Sequence, residues 1–178
     1  MQADLEYLEG WDLHRRVVID GVLRARHSVW IATANLKDLH VKAQGTYRSI
    51  LNEFGVLCAG GVEVRILHGG VPSECFLHSY KESGLVGDKL FRARRCPRVH
   101  FKAVLMDGQT LYLGSANFTG AGLGVKTEER RNFENGILTS SPELIKSVTS
   151  LFRVIWEGKM CEGCGRRESC FCPLEELS

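Results

Sequence analysis

Four polar residues at matched spacing carry the chemistry this sequence offers. His100 and Lys102 lie two apart, and so do Ser115 and Asn117, within the segment HFKAVLMDGQTLYLGSAN. An imidazole serves as nucleophile or proton carrier near neutral pH. An ammonium supplies positive charge, and a hydroxyl and an amide supply neutral donors, so the set suits a tetrahedral oxyanion. In an extended chain side chains alternate, which puts His100 and Lys102 on one face. Asp107-Gly108 between the pairs is a turn signal, and a hairpin there brings all four groups together.

The full run is His100-x-Lys102-x4-Asp107-x6-Gly114-Ser115-x-Asn117. It resembles the signature of the phospholipase D superfamily at every defined position, and the continuation GSANFTGAGLG is similar too. The resemblance covers roughly residues 28–156, and its specific part is 100–135. It implies a phosphodiesterase without a catalytic metal or cofactor, in which His100 forms a covalent phosphohistidine and Lys102, Ser115 and Asn117 hold the phosphate. Asp107 belongs to the pattern, but an aspartate opening a turn bonds backbone, and its expected role is structural. Asn132-Phe-Glu134-Asn135 looks like the N-x-E-N context in which relatives place a glutamate against the catalytic histidine. Glu134 would fix the tautomer and stabilise the imidazolium.

The reaction needs two histidines, one to attack and one to protonate the leaving group. His14, His27, His40, His68 and His78 lack the rest of the pattern. Single-copy members of the superfamily pair their motifs across a twofold axis, which implies a homodimer. The resemblance to bacterial endonucleases favours nucleic acid, DNA or RNA, as substrate. A phospholipid and a phosphate-gripping module of low turnover are the alternatives.

Formal net charge is only +2, so overall charge says little about partners. Lys89, Arg92, Arg94, Arg95 and Arg98 precede the motif directly, and the four arginines are candidate contacts to an anionic polymer. The start of the chain is acidic, and no apolar run approaches the length of a membrane span. A cytoplasmic protein is expected.

To position the motif, the pattern predicts strands alternating with helices. That is an α/β fold, a mixed β-sheet flanked by helices on both faces. A helix is expected over Trp11 to His27 with Asp12 as cap, then a buried strand from Ser28 to Leu36. Thr46 to Ala59 reads as a second helix closed by Gly60-Gly61, and Val62 to His68 as a strand ended by Gly69-Gly70. Ser73 to Gly84 reads as a short helix or an ordered loop. Strands follow at Val99 to Met106, Thr110 to Ser115 and Glu134 to Thr139, with a loop over Gly120 to Arg131. Ser141 caps a last helix with Pro142 at its first position, and Leu144, Val148, Leu151, Phe152 and Ile155 form its apolar stripe.

Residues 1–157 form the expected catalytic domain and 158–178 a cysteine-rich tail. Four of the seven cysteines sit there, as Cys161-x2-Cys164-x5-Cys170-x-Cys172. Four thiolates suit a structural zinc or a [4Fe–4S] cluster. The spacing resembles cluster-binding segments of some nucleases. Cys170-x-Cys172 is tight for one centre, so Cys58, Cys75 or Cys96 is an alternative fourth ligand. Such a site would pin the tail to the domain or to a partner protein.

Overall fold

The computed structural model describes residues 4–43, 45–123, 126–170 and 172–177. Parts of the expected 120–131 loop and of the acidic start lie outside them. Among the described residues ten strands and three α-helices follow in chain order. They are β1 (Leu5–Glu9), β2 (Ser28–Thr33), β3 (His40–Ala43), β4 (Thr46–Ser49), α1 (Ile50–Ala59), β5 (Glu63–His68) and α2 (Glu74–Glu82). Next come β6 (Phe91–Arg95), β7 (Lys102–Met106), β8 (Thr110–Gly114), β9 (Asn135–Thr139), α3 (Pro142–Trp156) and β10 (Glu175–Glu176). Eight strands make one mixed sheet in the order β1-β9-β8-β7-β2-β5-β6-β10, and β3 and β4 form a separate hairpin.

Alternation along the strands feeds two cores. Val29, Ile31, Val64, Ile66, Val104, Met106 and Tyr112 pack on one face under α1, α2 and the N-terminal helical segment. Trp30, Ala32, Leu67, Ala103, Leu105 and Leu111 pack on the other face against Phe152 and Trp156 of α3. The expected sheet with helices on both faces is therefore what forms. No helix among the described residues is long and apolar enough to cross a membrane.

Several element expectations are corrected. The segment after Trp11 is not one α-helix. It is a π-helix over Leu13–Ile19 followed by a 3-10 turn at Val22–Arg24. A Cβ at Gly21 would collide with Met106 Sδ and the Val17 carbonyl. The chain thus passes too close to the sheet there to carry a regular helix. Asp12 accepts from the Arg15 guanidinium at 2.9 Å and makes no side-chain cap bond.

The helix expected from Thr46 begins at Ile50, because Thr46–Ser49 pairs with His40–Ala43. Ser49 is the cap: its hydroxyl accepts from Leu51 N at 3.2 Å and donates to Asp38 at 2.6 Å. The undecided Ser73 to Gly84 segment is α2, capped by Ser73. On α3 Ser141 and Pro142 stand as expected, but Leu144 and Leu151 are exposed and Phe152 and Trp156 bury.

Asp107 holds the hairpin in place. It adopts a positive φ of 54° at the start of the turn. Its carboxylate accepts from the backbone N–H groups of His27 at 2.7 Å, Ser28 at 3.0 Å and Arg26 at 3.0 Å. These bonds lock the β7 end to the entry of β2. Burial pushes the Asp107 pKa up, but the N–H groups of Ser28, His27 and Arg26 outweigh it and hold the carboxyl below its usual range.

Asp107→Ala removes one acceptor from three donors and should cost about 2–3 kcal/mol at neutral pH. The folded-state pKa is depressed, so this stabilisation is present above the unfolded value of about 3.9 and is lost as pH falls through the folded one. Urea denaturation of both proteins should therefore show a gap at pH 7 that narrows in acid.

Candidate active site

The chemistry-bearing residues gather at one end of the sheet, where parallel β2, β5 and β6 finish and β7 and β9 begin. Open α/β sheets bind ligands at the carboxyl ends of their parallel strands. The β7–β8 register sets Lys102 opposite Gly114. Ser115 follows directly, with its N–H on the Asn135 carbonyl at 2.9 Å.

His100 is exposed and lies just before β7. Lys102 Nζ donates to the His100 carbonyl at 2.8 Å and stands 3.5 Å from its Nδ1. The ammonium thus sits beside the imidazole without closing off Nε2, which has no partner among the described residues.

Asn117 is oriented from behind. Its Oδ1 accepts from Ala34 N at 3.0 Å and Asn35 N at 3.2 Å, with the Thr33 hydroxyl at 3.2 Å. Thr33 is fully buried and accepts from Phe118 N at 3.0 Å. With the oxygen fixed on the end of β2, the amide nitrogen carries its donors outward, unpaired among the described residues.

Ser115 and Glu134 differ from expectation. Ser115 Oγ donates to Glu134 Oε2, and Glu134 Oε1 accepts from Asn132 at 3.2 Å. The Ser115 proton is then committed to the carboxylate, which leaves Lys102 and Asn117 as the free donors. No bond joins Glu134 to His100 of the same chain among the described residues. Asp107 also lies away from the site, at the far end of β7 from His100. Six residues lie between them, so an extended chain sets them roughly 20 Å apart.

The expected polymer contacts are largely engaged within the chain. Arg94 donates to Glu176 at 3.2 Å and to the Trp156 carbonyl at 3.0 Å, and its guanidinium lies 4.7 Å over the Trp156 ring. Arg92 pairs with the same Glu176 at 3.5 Å. Arg95 Nε lies 3.5 Å from the Gly69 carbonyl, and Arg98 lies 3.6 Å from Cys164 Sγ. β6 is a strand because Phe91 and Ala93 alternate inward between these arginines.

Sequence reasoning gave Gly69 only the role of ending a strand. A Cβ there would collide with the Val99 carbonyl, so the residue before His100 is seated directly on a glycine. Gly114 and Gly136 likewise admit the buried Tyr112 ring beneath Ser115. The signal for Gly69 was the Gly-Gly pair at a strand end, where a close backbone approach is a standard reading.

Two substitutions separate seating from donation. Gly69→Ala should displace Val99 and His100, cost about 1–3 kcal/mol and lower turnover at least about tenfold. Asn117→Asp keeps the acceptor that holds β2 but replaces the outward donor with an oxygen. Its denaturation midpoint should hold or rise, while affinity for inorganic phosphate, followed by the His100 imidazole resonances, falls at least about tenfold.

Comparison with known proteins agrees with this geometry. The family described as "Cardiolipin synthase, PLD-like domain" matches residues 18–156. No curated protein matches by sequence. Among solved structures the chain is similar to NucT from Helicobacter pylori, at 18% identity and a TM-score of 0.62, covering 92% of this chain and 98% of that one. It is similar to Nuc from Salmonella typhimurium, described as a phospholipase D family member, at 19% identity and a TM-score of 0.63, over 88% and 95% of the two chains. It also matches TrmBL2, an archaeal chromatin protein, at 11% identity and a TM-score of 0.56, over 86% of this chain and 52% of that one. With His100, Lys102 and Asn117 at one end of the sheet, a match that spans the sheet and its helices makes this chain a member of the phospholipase D-like domain family.

Proposed function

We propose that the protein is a phosphodiesterase that hydrolyses nucleic-acid backbones as a homodimer, with His100 as nucleophile. The observation that carries this reading is the exposed His100 imidazole beside the Lys102 ammonium, with the Asn117 amide anchored at the end of β2. A phosphodiester brought to His100 Nε2 would meet one fixed charge and one fixed amide donor. Both act on the oxygens that gain charge as phosphorus is attacked. The lysines of two copies would supply the positive charge, so the proposed mechanism uses no catalytic metal.

A gap in the single chain supports the dimer. An attacking Nε2 carries a lone pair, so the imidazole proton must sit on Nδ1 and needs an acceptor. The neighbour of Nδ1 is Lys102, which only donates. Glu134 is an acceptor at the same end of the sheet and does not reach His100 of its own chain. A twofold axis over this end would set Glu134 of the partner subunit against His100 and bring in the second histidine. One His100 would then form the phosphohistidine, while the other protonates the leaving oxygen and afterwards takes a proton from the water that releases the product.

Nucleic acid is preferred as substrate because TrmBL2, which shares the fold, is described as binding DNA. The description of the matching family as cardiolipin synthase supports a lipid phosphodiester as the second reading.

The assay compares single- and double-stranded DNA, RNA and phospholipid vesicles in excess chelator, with wild type and His100→Ala. Nucleic acid should be cut, and His100→Ala should lose at least about a thousandfold in rate. Cleavage of lipid alone would select the second reading, and binding without turnover would refute the enzyme. Specific activity should also fall on dilution as the dimer dissociates. A fully active monomer would refute the shared site.

A further inference from the structure

The catalytic reading leaves the cysteines unused, and the structure brings four of them together. Cys96, Cys161, Cys164 and Cys170 line one cavity of about 170 Å³. Three come from the tail, and Cys96 comes from the segment between β6 and His100. Cys172, the expected fourth ligand, is exposed and is not among the lining residues. Cys58 is buried on α1, where burial raises its thiol to about 11, and Cys75 is exposed on α2. Of the alternatives outside the tail, only Cys96 faces this cavity.

The size of the space favours one of the two candidate occupants. A structural zinc holds four sulfurs about 2.3 Å from one centre. Among the described residues no three His, Cys, Asp or Glu side chains are grouped closely enough to hold one metal ion. The cysteines instead share the lining of a space comparable to the cavity of about 150 Å³ that accepts benzene. A four-iron cubane takes one thiolate at each of four corners, so it suits sulfurs spread round a volume rather than drawn to a point. The remaining walls suit it as well. Val99, Leu151, Ile155, Met160 and Leu174 make its wall largely apolar, and three arginines, Arg98, Arg166 and Arg167, line the same cavity. A cluster with four thiolates is net negative, and arginine charge offsets its burial.

The tail folds onto this edge of the sheet. β10 pairs with β6, Leu177 N donates to the Ala93 carbonyl at 2.9 Å, and Arg166 donates to the Pro97 carbonyl at 3.2 Å. Gly158 and Gly163 turn the chain at positive φ, 74° and 70°. This explains the exposed Leu151 of α3, which faces the cavity rather than the sheet.

We propose that Cys96, Cys161, Cys164 and Cys170 hold a [4Fe–4S] cluster, with Cys172 outside the ligand set. Binding replaces four S–H bonds with four Fe–S bonds, and the protons leave to solvent. The cluster fastens the tail to the strand exit that leads, through Pro97, Arg98 and Val99, to His100. Its role is structural, and it stands or falls independently of the phosphodiesterase reading.

The test is iron, acid-labile sulfide and zinc analysis of the full chain purified without oxygen, beside Cys96→Ser and Cys172→Ser. Wild type and Cys172→Ser should carry about four irons and four sulfides per chain with visible charge-transfer absorbance. Cys96→Ser should lose most of both. Zinc without sulfide in the wild type, or neither metal, would overturn the cluster. Iron retained in Cys96→Ser and lost in Cys172→Ser would overturn the ligand set. The wild-type analysis decides the cluster even if Cys96→Ser fails to fold.

Discussion

The site depends on the register of β7 between β2 and β8. Side chains on a strand alternate with a period of two, so a slip of one residue would turn Lys102 away from the site and bury it in a core. Asp107 prevents that slip from the distant end. Its carboxylate binds three consecutive backbone N–H groups at the entry of β2, and its own N–H returns to the Ser28 carbonyl at 2.8 Å. With that end fixed, β7 runs antiparallel to β2 and delivers Lys102 and His100 where β2 ends. Thr33, Ala34 and Asn35 meet Asn117 at that same place. The motif aspartate and the motif asparagine are thus two clamps on one strand, and the proposed chemistry lies at the end that holds the asparagine.

Glycine completes the arrangement. Close packing leaves no room for a Cβ between Gly69 and the Val99 carbonyl, or between Tyr112 and Gly114. Val99 beside His100 lies on Gly69, and Gly114 beside Ser115 lies against Tyr112, so both positions lean on close backbone packing, with Ser115 also held through its hydroxyl by Glu134 and Asn135 N. The Asn117 amide is fixed differently, through bonds that occupy its oxygen. The His100 Nε2 and the Asn117 amide nitrogen are thereby left without partners among the described residues, while the Ser115 hydroxyl is bonded to Glu134.

The hairpin and its four polar groups were legible because they depend on local spacing: an alternating run, an Asp-Gly turn and a second alternating run. The partners behind them were not. The bonds from residues 26–28 to Asp107 and from residues 33–35 to Asn117 span some 80 positions, and no local pattern reports them. β6 was hidden because its inward Phe91 and Ala93 are separated by arginines, which read as a solvated charge run. Those arginines chiefly bind Glu176, Trp156 and the cysteine segment. β4 was hidden because Thr46–Ser49 runs straight into a helix, and only the Ser49 cap marks the change. For the tail, spacing alone left the fourth cysteine open, and the fold brings Cys96 to the cavity that Cys161, Cys164 and Cys170 line.

The central claim concerns one atom, Nε2 of His100. Rapid acid quench during turnover of a labelled phosphodiester, followed by peptide mass spectrometry, reads it directly. A phosphoryl adduct on the His100 peptide, formed and discharged at the rate of turnover, is the predicted result. Full turnover with no adduct, or an adduct on another residue, would contradict the assignment.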